Sequence, residues 1–322
     1  MKPNPINLTF RPIQLRPLLS ALACLGVALL FGACTEPRGQ QEGDTGTGKP
    51  QVLCTTTMIH DLAQVIAGEH FEIHGIMKAG EDPHIYVLKP HDVVLVGKMD
   101  LVLMNGLHLE AQVGHVVDEK AKGKVVRLAV DPRIKTLGSE DEEGAPDPHC
   151  WFNPEYFKIY AEKARDTFIE IDPGNAETYK ARTEAYLKEL DEVYAWGKEA
   201  MASIPEERRI MVTSHDAFQY FGKAFGIDVA AFGGVSTEGD AISPQNRIEL
   251  ENLVKERGAK ALFIESSVPE KFNTMIKKIA ESTGANIGGE LHSDSLGEPG
   301  SGADTYLTML KYNLTTVIEA LK

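Results

Sequence analysis

The sequence predicts an α/β protein of two lobes, each built on a mainly parallel sheet, joined by a single long linking helix with a cleft between the lobes. Three observations carry that expectation. From residue 51 onward, short β-branched apolar runs alternate with stretches able to hold a helix, the pattern of parallel layers covered on both faces. The runs fall into two groups. Between the groups lies an unusually helical interval, from Asn153-Pro154 to about Ser203. At 322 residues and 43% hydrophobic content the chain can bury a sizeable core, and its length alone points to about two domains.

The chain opens with an export signal. Arg11 and Arg16 precede the apolar run Leu18 to Phe31, then the small residues Gly32 and Ala33, then Cys34. The run is too short for a comfortable membrane span. Gly-Ala-Cys resembles a bacterial lipoprotein processing site, so residues 1–33 read as a signal peptide and Cys34 as the lipidated first residue. An ordinary cleaved signal peptide is the alternative. Either way the mature protein works outside the cytoplasmic membrane, lipid-anchored on its outer side or in the periplasm. Residues 34–50, rich in Gly, Thr and charge, read as a flexible tether.

The first lobe spans 51–174. Its strand-like runs are Gln51 to Thr57, Phe71 to Met77, Asp92 to Val96, Leu101 to Asn105 and Lys124 to Val130. Asn153-Pro154 opens a helix that Asp172-Pro173-Gly174 interrupts. Asn175 then caps the linking helix, 175–203, in which Tyr179, Tyr186, Leu187, Leu190, Val193, Tyr194 and Met201 recur at helical spacing. At 1.5 Å per residue such a helix is roughly 40 Å long, enough to pack against both lobes and to restrict how far they open. The second lobe, 204–322, holds the runs Arg209 to Ser214, Asp228 to Phe232, Ala261 to Ser266 and Ala285 to Leu291.

Charge excludes one class of function. The formal net charge is −14, and losing the three basic residues of the leader, Lys2, Arg11 and Arg16, takes it to about −17. Nucleic-acid binding needs a positive stripe that this chain lacks, so no nucleic-acid partner is expected. The mature chain reads as a monomer.

The residues that carry chemistry are histidines in a repeated frame. Asp82-Pro83-His84-Ile85-Tyr86 and Asp147-Pro148-His149-Cys150-Trp151 both set a histidine after Asp-Pro, where proline stiffens the backbone and narrows the ring's approach. His215, in Thr213-Ser214-His215-Asp216, and Asp294, in His292-Ser293-Asp294-Ser295, follow strand-like runs of the second lobe. All four sit where strands exit toward loops, the side on which α/β sheets bind ligands. Three imidazoles and a carboxylate suit a borderline divalent metal. A histidine at a strand end is more often a surface residue than a ligand, so spacing alone leaves the constellation open. His60, His70, His74, His91, His108 and His115 lack the Asp-Pro frame and are assigned to helix faces and loops, whereas His292, two residues from Asp294, is a rival on an extended segment. Cys54 and Cys150 can pair in an oxidising compartment, but sequence cannot place them in range. Cys150, if on a strand, faces away from its neighbour His149.

These phrases, together with Thr55-Thr56-Thr57-Met58-Ile59, Asn105-Gly106-Leu107-His108-Leu109-Glu110, Gly234-Val235-Ser236-Thr237-Glu238 and Tyr306 to Asn313, run in order from residue 51 to the C-terminus. In that combination the chain resembles the zinc- and manganese-binding lipoproteins that serve bacterial ABC transporters. The resemblance implies two α/β lobes joined by one long helix with a single metal between them, and a membrane permease as partner. It implies His84, His149, His215 and Asp294 as ligands and demotes His292, which falls on a position usually aromatic in relatives. Glu265, ending the run Ala261 to Glu265, reads as a carboxylate that orients a ligand or replaces one, with the histidine it serves left open. Three imidazoles favour zinc, while the histidine-free acidic stretch Gly138 to Gly144 and the C-terminal phrases keep manganese. A zinc hydrolase is the competing class, but four ligands from two lobes close the shell that a catalytic zinc keeps open, and no His-Glu-x-x-His or Gly-x-Ser-x-Gly motif occurs. Surface adhesion by the same fold is a third reading. Metal binding needs neutral imidazoles, so affinity is expected to fall as pH drops through roughly 6.5.

Overall fold

A computed structural model describes residues 48–138, 146–238 and 244–322. The signal peptide, Cys34, most of the tether and most of the acidic stretch lie outside the described residues.

The first group of elements runs β1 (Gln51–Cys54), α1 (Thr57–Ile66), β2 (Glu72–Gly75), α2 (Pro90–Val96), β3 (Leu101–Met104), α3 (Ala111–Lys120) and β4 (Lys124–Arg127). Its four strands lie in the order β2-β1-β3-β4, every pair parallel, with Val52 opposite Ile73 on one side and Leu101 on the other. Val52, Leu53 and Cys54 are all buried, as a central strand covered by helices on both faces requires. Two helices follow, α4 (Pro154–Ile171) and α5 (Ala176–Ala202). The second group is β5 (Ile210–Thr213), α6 (Gln219–Phe225), β6 (Asp228–Ala231), α7 (Pro244–Arg257), β7 (Ala261–Glu265), α8 (Glu270–Thr283), β8 (Asn286–Leu291) and α9 (Tyr306–Leu321). Its strands repeat the same arrangement, β6-β5-β7-β8, again all parallel.

Local chemistry explains the helix starts. Thr56 Oγ1 accepts from the Ile59 N–H at 3.4 Å to cap α1, whose buried face of Met58, Ile59, Leu62, Ala63 and Ile66 has helical spacing. Asn153 Oδ1 accepts from the Glu155 N–H at 3.0 Å ahead of Pro154, which suits the first helical position because its missing donor would go unused there. Asn175 stands at the start of α5, but its amide donates to Asp172 Oδ2 at 2.7 Å instead of capping the helix.

The 27 residues of α5 span roughly 40 Å. It packs against α1 and α4 on the first-lobe side and against α6 and α9 on the second. Tyr179, Tyr186, Leu190 and Met201 are buried along it, and a single hydrophobic cluster runs from Val52 through Phe157 and Phe221 to Leu321. The two sheets therefore share one core. An aromatic seam reinforces it: Phe157 of α4 stacks on Tyr306 of α9 at 3.5 Å with the planes 7° apart. The Tyr306 hydroxyl donates to the Trp151 carbonyl at 2.5 Å, and its N–H donates to Asp61 Oδ2 of α1 at 2.9 Å.

One strand expectation is overturned. Residues 92–96 are not a strand but the C-terminal part of α2. Pro90 is pre-set for a first helical turn and Asp92 Oδ2 accepts from the Lys89 N–H at 2.8 Å, so the N-terminal signals outweigh the β-branched Val93-Val94.

The seam gives a stability prediction. Truncating Phe157 to Ala leaves a void under Tyr306 and should lower the unfolding free energy by about 3–5 kcal/mol in urea titration. A loss below about 1 kcal/mol would contradict the role given to this contact.

Candidate metal centre

The Asp-Pro-His turns are built by their aspartates. Asp82 Oδ1 accepts from the His84 N–H and Asp147 Oδ1 accepts from the His149 N–H, each at 2.9 Å. Each carboxylate thus closes a turn around the intervening proline and fixes where the histidine leaves the backbone. His149 follows β4 through a loop, His84 follows β2, His215 lies two residues past β5, and Asp294 lies three past β8. Every one therefore sits beyond the C-terminal end of a strand.

There the four meet. One donor atom from each of His84, His149, His215 and Asp294 lies within 4.8 Å of the others, and all four residues are buried. The imidazole centroids form a near-equilateral triangle with sides of 5.4, 5.9 and 5.4 Å. The Nε2 atoms of His84 and His149 are 3.3 Å apart, His149 Nε2 is 3.3 Å from Asp294 Oδ1, and His215 Nε2 is 3.1 Å from Asp294 Oδ2. Tetrahedral ligands at 2.0–2.1 Å from zinc are about 3.3 Å from one another, so the spacing matches a shared ion. Neither His215 Nε2 nor Asp294 Oδ1 has an aligned hydrogen-bond partner among the described residues, although both are buried. Unpartnered buried polar atoms that converge on one point fit the donor set of a metal ion.

Carboxylates behind the rings aim them. His149 Nδ1 donates to Asp147 Oδ1 at 2.8 Å and His215 Nδ1 donates to Glu265 Oε2 at 2.6 Å, which leaves both Nε2 atoms facing the centre. Glu265 also accepts from the Ser214 and His215 N–H groups and the Ser214 hydroxyl through Oε1, at 2.8, 2.9 and 2.5 Å. Asp294 is held by its N–H, which donates to Ser267 Oγ at 3.1 Å. Trp151 Nε1 donates to the Ser293 carbonyl at 3.3 Å, tying the His149 turn of one lobe to the Asp294 turn of the other.

The electrostatics follow from burial and charge. Burial pushes the His84 imidazole down to about 3, so it is neutral at any ordinary pH. Burial acts on His149 in the same sense, but hydrogen bonds to Asp147 and Asp294 outweigh it and lift the ring to about 9. For His215, burial is again outweighed, here by the charges of Glu265 and Asp294, and its affinity for a proton rises. Burial disfavours the Asp294 anion, yet the charge on His215 and the close approach of both rings hold it well below the carboxylate range. Asp82 moves the other way, up to about 6, through burial and the nearby charge of Asp294.

The remaining expected residues fall elsewhere. Glu265 stands behind His215 and does not face the centre. His292 is outside the cluster: the chain turns at 293–295, and its Nδ1 lies 3.0 Å from Ser266 Oγ while its ring meets Tyr312. His60, His91 and His115 lie on helices, His70 in a short turn of helix and His108 in a turn, while His74 is on β2 rather than on a helix face or loop. The thiols of Cys54 and Cys150 are free and buried. Cys150 lies on a one-turn helix and not a strand; its Sγ points to the Asp147 carbonyl at 3.8 Å, and burial pushes the thiol up to about 12, unsuited to thiolate ligation. Asp147 and Asp82 are the site residues that sequence reasoning passed over. Their signal in the sequence is the repeated Asp-Pro-His, in which the aspartate matters as much as the proline.

Known proteins resemble this chain in sequence and in fold. Residues 52–320 match the model of the family described as zinc-uptake complex component A, periplasmic. The chain is 36% identical over 302 residues to the zinc-binding protein TroA of Treponema pallidum, covering 93% of this chain and 97% of that one. It is 33% identical over 296 residues to the manganese-binding lipoprotein MntA of Halalkalibacterium halodurans, covering 92% and 95%. The solved structure of the T. pallidum protein superposes with a TM-score of 0.80 at 35% identity, over 85% of this chain and 99% of that one.

In the metal-free protein, nitrogen-resolved NMR should find His149 doubly protonated at pH 7 and titrating near 9, and His84 neutral down to about 3. A His149 titration near the free value of 6.5 would contradict its pairing with Asp147 and Asp294.

Proposed function

The chain belongs to the family of periplasmic zinc-uptake complex A components, and from that premise we propose that it captures a divalent transition metal, zinc or manganese, outside the cytoplasmic membrane and delivers it to the permease of an ABC importer. His84, His149 and His215 bind through Nε2, and Asp294 binds through its carboxylate. The observation that carries the reading is the convergence of these four donors, from loops of both lobes, on one buried point.

The division of labour follows the sequence boundaries. Residues 51–174 supply His84 and His149, residues 204–322 supply His215 and Asp294, and the linking helix over 175–203 sets the distance between them. Cys34 serves as the lipidated anchor and the mature chain acts as a monomer. A buried shell of four protein donors supports capture over hydrolysis, since catalytic zinc keeps a position for water. Both ions remain chemically reasonable cargo. Three imidazoles suit zinc, whereas Asp294, with one oxygen beside His149 and the other beside His215, can supply a fifth ligand atom for manganese.

Binding exchanges protons for the ion. His149, lifted to about 9, holds a proton in the metal-free site at neutral pH, and the ion must expel it. The His149 proton alone makes affinity fall as pH is lowered from about 9, earlier than the 6.5 of a free imidazole would give, and the raised proton affinity of His215 adds to the loss.

Competitive calorimetric titration of zinc and manganese at several pH values tests this. One ion per chain is expected, with proton release on binding and an affinity that weakens up to about tenfold per pH unit per proton displaced. His215→Ala should weaken binding by more than about 100-fold and His60→Ala should leave it unchanged. Equal affinities for the two variants would sink the assignment.

A further inference from the structure

The turn after β3 adopts an unfavourable backbone that the four converging donors do not themselves require. Gly106, Leu107 and His108 have φ of 86°, 54° and 65°, three successive residues in the left-handed region. Glycine suits the first, and a Cβ there would meet Arg127 Cβ at 2.9 Å, but Leu107 and His108 resist this conformation. A buried carboxylate holds the turn in place. Glu110 Oε1 accepts from the Asn105 N–H at 2.8 Å and from Thr55 Oγ1 at 2.7 Å, and its Oε2 accepts from the Gly106 N–H at 3.1 Å. The buried Leu109 anchors the far end.

The turn aims one side chain. Asn105 is 1% exposed, and its amide Nδ2 donates to the Pro148 carbonyl at 3.0 Å and to the Gly106 carbonyl at 3.1 Å. The Tyr160 hydroxyl of α4 donates to its Oδ1 at 2.6 Å, which fixes the amide with the nitrogen toward Pro148. The Pro148 carbonyl belongs to the same peptide plane as the His149 N–H. That plane is thus gripped at both ends, its N–H by Asp147 Oδ1 at 2.9 Å and its oxygen by Asn105 Nδ2, with the Cys150 N–H adding a bond at 2.8 Å. A rotation of this peptide would swing His149 Nε2 away from Asp294.

We propose that Asn105, set by Glu110 and oriented by Tyr160, is a positioning residue for metal binding, clamping the Pro148–His149 peptide so that His149 presents Nε2 to the ion. The proposal rests on His149 as a ligand and adds a residue that touches neither the ion nor the imidazole.

Cobalt(II) titration of the metal-free protein, read by visible absorption, separates positioning from plain stability. Asn105→Asp puts an oxygen against the Pro148 carbonyl; it should weaken cobalt binding by about 10–100-fold and alter the ligand-field bands. Tyr160→Phe keeps the ring and frees the amide to flip, with an expected loss of about tenfold. As a control, Thr183→Val removes another buried hydroxyl bond, to the Tyr179 carbonyl at 2.8 Å, and should lower the unfolding midpoint without changing affinity or bands. Wild-type affinity and bands in both Asn105→Asp and Tyr160→Phe would overturn the proposal, and if Asn105→Asp does not fold then Tyr160→Phe alone decides. Failure of the wild-type protein to bind cobalt would instead overturn the metal assignment itself, and this proposal with it.

Discussion

A buried carboxylate surrounded by three imidazoles is the constraint on which the rest of this molecule depends. Asp294 is 1% exposed, and an isolated anion at that depth would be prohibitively costly. Two occupants can balance it. Protons on His149 and His215 do so in the metal-free site, which is why both rings are lifted despite their burial. In the proposed function a dication does so when bound, and it then needs those same Nε2 lone pairs. On that proposal proton and metal are alternative cargoes of one electrostatic trap, and acidification or transfer to a better set of donors favours release.

The trap works only if donors from different strands arrive together, and the fold supplies that from below. Two four-stranded parallel sheets direct their carboxyl-terminal loops at a common point. The shared core along α5, the Phe157–Tyr306 stack and the Trp151–Ser293 hydrogen bond limit how far the two halves can separate. Each ring is then aimed by a carboxylate, Asp147 for His149 and Glu265 for His215, so that the tautomer facing the ion is set before the ion arrives. In the role proposed for Asn105, the left-handed turn at 106–108 supports that aiming from a distance.

Much of this was legible in the chain. The strand runs at 101–105 and 261–266 were apolar enough to read directly, and the repeated Asp-Pro-His marked two of the four converging residues. What escaped was set by single side chains acting on backbone. The β-branched Val93-Val94 pointed to a strand, and a proline and one aspartate made it a helix. Residue 292 looked equivalent to 294 on an extended segment, until a bend after β8 sent the histidine to Ser266. Glu265 was visible as a carboxylate at a strand end, but only the pairing of β7 beside β5 places it against His215. Asp147 contacts a partner only two residues away, so the repeated Asp-Pro-His is its one mark in the sequence and no long-range pattern reveals it.

The central claim is that one ion sits among three imidazoles and one carboxylate, with no sulfur. X-ray absorption at the metal edge of the zinc-loaded protein measures this directly. The account predicts only nitrogen and oxygen neighbours at about 2.0–2.2 Å, with the multiple scattering of three imidazoles. A sulfur neighbour near about 2.3 Å, or scattering from fewer than two imidazoles, would contradict it.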